Sequence, residues 1–261
     1  MNFMKGKRIL VTGVINSRSI AYGIANTLKK YGSEIILTYK EEKMKSKIEK
    51  ISKEIGTVAT FQCDVSSDES IKNCFSLISD IWRKFDGLVH SIAYAPSNQL
   101  IGDYLSSVDR NGFNISHEIS SYSFTALVKN CSEMLNKNSS LLTITYVGSK
   151  RAMSNYNVMG LAKASLESSV RYMAYSLGPR SIRVNGISSG PIITASSLGI
   201  KNFKKMFHNF SKTSFIQRTI RLEEIGNCAA FLCSDLSSGI TGEIINVDGG
   251  FSHSIPSRYF L

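Results

Sequence analysis

No apolar run in this chain approaches the length needed to cross a bilayer; stretches such as residues 9–11 (ILV) are far shorter than the roughly 20 residues a spanning helix requires. The N-terminal MNFMKGKRILVTG is basic, but it lacks the long apolar stretch and small-residue cleavage site of a secretory signal. A cytoplasmic protein with no membrane insertion is therefore expected. The five cysteines (Cys63, Cys74, Cys131, Cys228, Cys233) are odd in number and scattered, with no C-x-x-C pair, which argues against a disulfide framework and for reduced, mostly buried thiols. The four histidines (His90, His117, His208, His253) are too dispersed for zinc-ligand spacing, and no metal is expected. No stretch rich in proline or glycine marks a linker, and no internal repeat is visible.

What is present is a sizeable core: 43% of the 261 residues are hydrophobic, which excludes a disordered chain and suits one large domain. The formal charge of +11 is spread along the chain. No helix-turn-helix, zinc-finger or base-stacking motif accompanies it, so nucleic acid is not an expected partner, whereas the charge leaves an acidic protein partner open.

Apolar segments alternate with amphipathic ones. Short buried runs occur in KRILVTG, SEIILTY, VATFQCDV, GLVHSIAYA, SSLLTITYV, RSIRVNGISSGPI and GEIINVDGG. Between them lie helical patterns, among them Ile20, Ile24 and Leu28 before Gly32, and apolar positions 71, 75, 78 and 82. Strands separated by helices predict an α/β fold: a single doubly wound domain over 1–261, with a mainly parallel sheet covered by helices on both faces. Ligands of such folds bind beyond the carboxyl ends of the strands.

Each strand end offers candidates. After the first, Gly13 permits a tight turn, and a helix beginning near Ser19 and Ile20 presents backbone N–H groups to an anion, although the loop is not G-x-G-x-x-G. After the second stands Lys40, followed by two glutamates: a mixed signal for ribose or phosphate recognition, or a solvated helix start. Asp64, after the third, reads as a partner for an adenine amine, or else Asp64 or Ser66 caps the next helix. Small residues from Ser91 to Ala95 let a ribose and a flat ring approach the backbone, or simply pack. Tyr146 ends the fifth strand. The sixth ends in a Gly190-Pro191 turn that leads into Ile192, Ile193 and Thr194. Residues 193–215 read as a lid of helix and loop, or as a surface helix burying Leu198, Phe203, Met206 and Phe207.

The stretch YNVMGLAK carries the chemistry. On a helix, seven residues at about 100° each complete nearly two turns, so Tyr156 and Lys163 are expected on one face. With Tyr146 they would converge on one crevice.

Together these features resemble the short-chain dehydrogenase/reductases, and within them the divergent branch of NAD-dependent enoyl-acyl-carrier-protein reductases of bacterial type II fatty-acid synthesis. The common Tyr-x3-Lys pattern fails here, because Met159 stands four before Lys163. The Tyr-x6-Lys pattern, a tyrosine ten residues upstream and TGV…SIAYGIA all fit. The similarity extends through FDGLVHSIAYAP, GDYLSSV, SSYSF, SNYNVMGLAKASLE and SDLSSGITGE.

The resemblance implies a Rossmann-type domain that reduces the trans-2 double bond of enoyl-acyl-carrier-protein thioesters with NADH, the last reductive step of each elongation round. It implies cofactor contacts from Gly13, Ser19, Ile20, Lys40, Asp64, Val65, Ile92, Lys163, Ile192, Ile193, Thr194, Ala195 and Ser196. Ala95 would touch the substrate. Tyr146, Tyr156 and Lys163 would be catalytic. Tyr156 would stabilise the enolate oxygen, Lys163 would anchor the ribose and favour phenolate character nearby, and solvent would protonate the α-carbon. It further implies a homotetramer and the acyl carrier protein as partner; Lys201, Lys204 and Lys205, by their place on the expected lid, are expected either to dock that acidic carrier or to form a solvated face.

This chain departs from the family pattern at Lys40, which keeps NADPH in play beside NADH, and at Met153-Ser154, Ile193 and Phe215. A carbonyl reductase of the same fold is the competing reading, and Met159 argues against it. A non-catalytic nucleotide-binding protein is another.

Overall fold

The computed structural model describes residues 2–194 and 203–254, the side chains of 203–206 excepted. Seven strands form its sheet: β1 (Arg8–Thr12), β2 (Glu34–Tyr39), β3 (Ala59–Gln62), β4 (Phe85–His90), β5 (Leu135–Thr145), β6 (Arg183–Ser189) and β7 (Ile244–Val247). Every neighbouring pair is parallel, and the order is β3-β2-β1-β4-β5-β6-β7. The winding reverses between β1 and β4, where such sheets open a crevice at their carboxyl edge.

Helices α1 (Ile20–Lys30), α2 (Lys45–Ile55), α3 (Asp68–Ile81), α4 (Tyr104–Ser107), α5 (Arg110–His117), α6 (Ser123–Cys131), α7 (Val158–Leu177), α8 (Phe203–Thr213) and α9 (Leu222–Cys233) connect or cover the strands. Strand pleating divides the core in two. Ile9, Val11, Ile35 and Leu37 face one cluster, shared with Ile24 and Leu28 of α1 and Ile225 and Ala229 of α9. Leu10 and Ile36 face the other, shared with Ile71, Phe75 and Ile78 of α3, Phe124 of α6 and Leu166 of α7. Both faces of the sheet are thus dry, which accounts for strands that read as continuous apolar runs. Trp82, the only tryptophan, is fully buried in the second cluster.

Several expectations require correction. The fourth strand stops at His90, so residues 91–95 form a loop. Between β4 and β5 the chain is helical from α5 onward, passing through a π-turn at Glu118–Tyr122 before α6. Neither Asp64 nor Ser66 caps α3: Ser67 does, accepting from the Ser70 N–H, while Asp64 accepts from the Ser66 N–H and hydroxyl. In the expected lid, α8 is present, and Phe210 at its far end is buried against Phe251. Leu198 lies outside the described residues, as do the side chains of Phe203 and Met206; Phe207 is partly buried. Ala195, Ser196 and Lys201 also lie outside them, as do the side chains of Lys204 and Lys205.

The end of α9 is closed by an arginine. Arg183 of β6 is buried, and its guanidinium donates to the carbonyls of Leu232 and Ser234 and to the Ser237 hydroxyl at 2.7–2.9 Å. The last carbonyls of a helix have no partner within it, and this side chain supplies one. Arg183→Met is expected to lower stability by about 2–4 kcal/mol, read from urea unfolding, because buried carbonyls lose their donors.

Candidate active site

A cavity of about 590 Å³ lies along the carboxyl ends of β1, β2, β4, β5 and β6. Of the residues expected to form the site, it brings together Gly13, Ser19, Ile20, Lys40, Asp64, Val65, Ile92, Ala95, Tyr146, Tyr156, Lys163, Ile192 and Thr194. Ile193 is not among its walls and is 40% exposed.

One end is a loop built for close approach. Gly13 has φ +90°, and a side chain there would collide with the Ser91 carbonyl of the adjacent strand end. Ser19 does not cap α1. Its hydroxyl instead accepts from the N–H groups of Ile15 and Asn16, folding the preceding loop and leaving the first turn of α1 without a side-chain acceptor. Such a turn, with the positive end of the helix dipole, suits an anion. Further along, Lys40 and Asp64 face each other at 3.9 Å across the ends of β2 and β3.

The other end carries the two tyrosines and the lysine, and here the helical argument fails. Tyr156 is not on α7, which starts at Val158. It sits in the turn before the helix, between Asn155 (φ 60°) and Asn157 (φ 38°). Asparagine is among the few residues that tolerate positive φ. This turn is tied down by Asn157, which donates to the Ser107 hydroxyl at 2.9 Å, and by Asn155, which accepts from the Gly102 N–H at 3.3 Å. Gly148 leaves room for the Tyr156 ring; a Cβ there would overlap it. The rings of Tyr146 and Tyr156 meet edge-on, with centroids 5.2 Å apart.

Lys163 is on α7 and 5% exposed, and its ammonium donates to the Ile144 carbonyl at 2.8 Å. Burial lowers its pKa to about 8, opposed by the negative charge of Glu167. Burial raises both phenols: Tyr146, also facing Asp248, and Tyr156, also facing Tyr146 and Glu167. Desolvation thus opposes the expected phenolate character at both tyrosines.

Sequence reasoning passed over the polar groups beneath this wall. Glu167 is buried and accepts from the hydroxyls of Thr145 (2.8 Å) and Ser149 (2.5 Å). His90, at the end of β4, is buried between the hydroxyls of Thr143 (2.8 Å) and Ser123 (2.9 Å) and is held neutral by desolvation, with a pKa near 3. The signal for Glu167 was its place one turn beyond Lys163; nothing local marked His90.

An all-parallel sheet with a crevice at its switch point, a glycine turn and a helix amino end is the Rossmann-type dinucleotide-binding arrangement. A family model described as enoyl-(acyl carrier protein) reductase matches residues 13–252. The NADH enoyl-acyl-carrier-protein reductase FabI of Escherichia coli strain K12 is 54% identical over 252 residues, 97% of this chain and 96% of that one. The chain belongs to the enoyl-acyl-carrier-protein reductase family. Two solved structures superpose closely. The Bacillus cereus enoyl-acyl carrier protein reductase with NADP+ and indole naphthyridinone gives a TM-score of 0.94 at 39% identity, over 97% of this chain and 99% of that one. The Anaplasma phagocytophilum enoyl-acyl-carrier-protein reductase with NAD gives 0.91 at 37%, over 95% of each.

The lowered Lys163 pKa has a thermodynamic consequence. Below pH 8 the lysine is charged both folded and unfolded, and the fold bears the full desolvation cost. Between about 8 and its ordinary 10.5, the unfolded chain binds the extra proton, so this lysine's contribution to stability rises with pH. Unfolding free energy of the cofactor-free protein, relative to that of Lys163→Met, is expected to climb across that window by up to about 3 kcal/mol. A flat difference would contradict the buried charge.

Proposed function

We propose that this protein reduces the trans-2 double bond of enoyl-acyl-carrier-protein thioesters with NADH, the final reduction of each fatty-acid elongation cycle, within one catalytic domain over 1–261. The observation that carries the reading is the convergence of Tyr146, Tyr156 and Lys163 on one wall of the cavity. The family membership and the 54% identity to an NADH-named reductase support the same activity.

The residues present fit a dinucleotide. The Gly13 turn and the amino end of α1 match a pyrophosphate, Asp64 an adenine amine, and Ile20, Ile92 and Ile192 the faces of flat rings. Lys163 has two N–H donors beyond the one given to Ile144, enough for ribose hydroxyls. Thr194 would reach the carboxamide, and Ala195 and Ser196 are proposed as further cofactor contacts. NADH, when bound, supplies the hydride that reduces the β-carbon.

The chain's own part is electrostatic. Negative charge develops on the thioester oxygen as the double bond is reduced, and a phenol aimed at that atom stabilises it. Tyr156 fills this role as a neutral donor, since burial holds its proton. Tyr146 packs edge-on against it and restricts its ring. Ala95 would meet the substrate through its backbone, and solvent would protonate the α-carbon.

We also propose a homotetramer in the cytoplasm. Association is supported by Leu161, Tyr172 and Tyr175, exposed along one face of α7. A reducing compartment suits the five free thiols.

Tyr156→Phe is expected to lower kcat for crotonyl thioester about 100-fold or more, followed as NADH oxidation, while NADH still binds; normal turnover would overturn the role given to the phenol. At the adenosine end, Lys40 already faces Asp64 and is 58% exposed. Lys40→Gln is expected to leave kcat/KM for NADH within about twofold and to reduce it for NADPH by about fivefold or more, since only the phosphate-bearing cofactor would gain from the charge. Equal losses with both cofactors would remove Lys40 from cofactor choice.

A further inference from the structure

The buried carboxylate of Glu167 has no part in the reduction as described, yet it links every element that carries the chemistry. It lies on α7 one turn beyond Lys163, on the same face. Its Oε1 accepts from Thr145, the last residue of β5, and from Ser149 in the turn that follows. Tyr146 lies between those two donors. Gly148, against which the Tyr156 ring is seated, lies in the same turn. One residue before Thr145, the Ile144 carbonyl takes the Lys163 ammonium. So α7 grips the end of β5 twice: once by a cation on a carbonyl and once by an anion on two hydroxyls.

We propose that Glu167 is a positioning residue for the reduction, fixing the turn that carries Tyr146 and seats Tyr156, and setting a fixed negative charge against the Lys163 ammonium. The proposal rests on the reading of Tyr156 and Lys163 given above. A buried carboxylate is costly unless hydrogen-bonded, and Glu167 accepts from two hydroxyls, with Lys163 one helical turn away. The groups around Lys163 are Glu167 on its own helix, His90 on β4, and Tyr146 and Tyr156 on the flanking turns. Among them Glu167 is the carboxylate, and it raises the lysine against the burial that lowers it. It also raises Tyr156, helping to keep that phenol protonated.

The test separates charge from scaffolding. Glu167→Gln keeps the shape and removes the charge; Thr145→Val with Ser149→Ala removes the hydroxyl donors and keeps the carboxylate. NADH affinity is followed by fluorescence from pH 6 to 10, and kcat is measured with crotonyl-CoA. In the parent protein, affinity should fall as Lys163 loses its proton near pH 8. In Glu167→Gln that midpoint should move down by about one unit or more, with kcat at pH 7 reduced about tenfold or more. The double variant should lose kcat with its midpoint unmoved. Glu167→Gln with the parent's midpoint and kcat would overturn the proposal, and so would an equal loss at every pH. Should that variant fail to fold, the double variant decides: unchanged kcat refutes the proposal, and lowered kcat with an unmoved midpoint supports it. A parent protein that neither binds NADH nor reduces crotonyl-CoA would refute the proposed function itself, which is a different result.

Discussion

The hydrogen bond from the Lys163 ammonium to the Ile144 carbonyl is the contact on which the rest of the site depends. It places a cation inside the protein, at the carboxyl end of a central strand, 2.8 Å from a backbone oxygen. A buried ammonium can be held only where it meets acceptors and a compensating charge. Here the strand end supplies the acceptor and Glu167 the charge. The same bond fixes α7 against β5, since residue 163 cannot slide along the strand without losing it. Its field also reaches His90 on the next strand, which burial and that charge together keep neutral. A protonated imidazole there would be a second buried cation beside the first.

The cavity is polarised as a result. Toward β2 and β3 it ends in the partly exposed Lys40–Asp64 pair, where water screens both charges. At the β1–α1 corner it offers backbone N–H groups, and through the middle it is lined by Ile20, Val65, Ile92 and Ile192. Toward β5 and α7 Lys163 is withdrawn from solvent, with Tyr146 and Tyr156 partly buried beside it. Electrostatic stabilisation gains most where solvent is excluded. The phenols and the lysine therefore sit where they can influence charge developing on a bound molecule, and Lys40 sits where it can influence only association.

The layered fold was legible because burial on both faces leaves an unambiguous mark. Runs such as ILV at 9–11 and IILTY at 35–39 need apolar side chains on both sides, and the helices between them keep strict spacing at Ile24 and Leu28 or Ile71, Phe75 and Ile78. Strand ends followed, and with them most of the cavity wall. What stayed hidden was whatever depends on distant partners. Ser67 rather than Asp64 caps α3, because a cap is chosen by backbone geometry and both residues are good candidates. The π-turn at 118–122 follows from tertiary packing: Ser120 there both accepts from and donates to the backbone of Tyr94. His90 reads as one more strand residue until Thr143 and Ser123 arrive from 53 and 33 residues away.

The spacing of Tyr156 and Lys163 marks one wall of the cavity, but not through helical geometry. Six intervening residues were expected to return both side chains to one helical face, which requires the helix to include Tyr156. It does not: the helix begins at Val158, and the backbone of Asn157 leaves helical geometry altogether (φ 38°, ψ −120°). The two groups reach one wall by separate routes, Lys163 from within the helix and Tyr156 from a turn anchored to the 102–107 segment and seated on Gly148. That difference matters physically. Two groups on one helix keep a separation set by helical geometry, whereas a tyrosine outside the helix can be placed independently of the lysine. The longer gap thus allows the phenol to take its own place on the cavity wall while the ammonium stays with the strand end, and each is positioned by its own set of contacts.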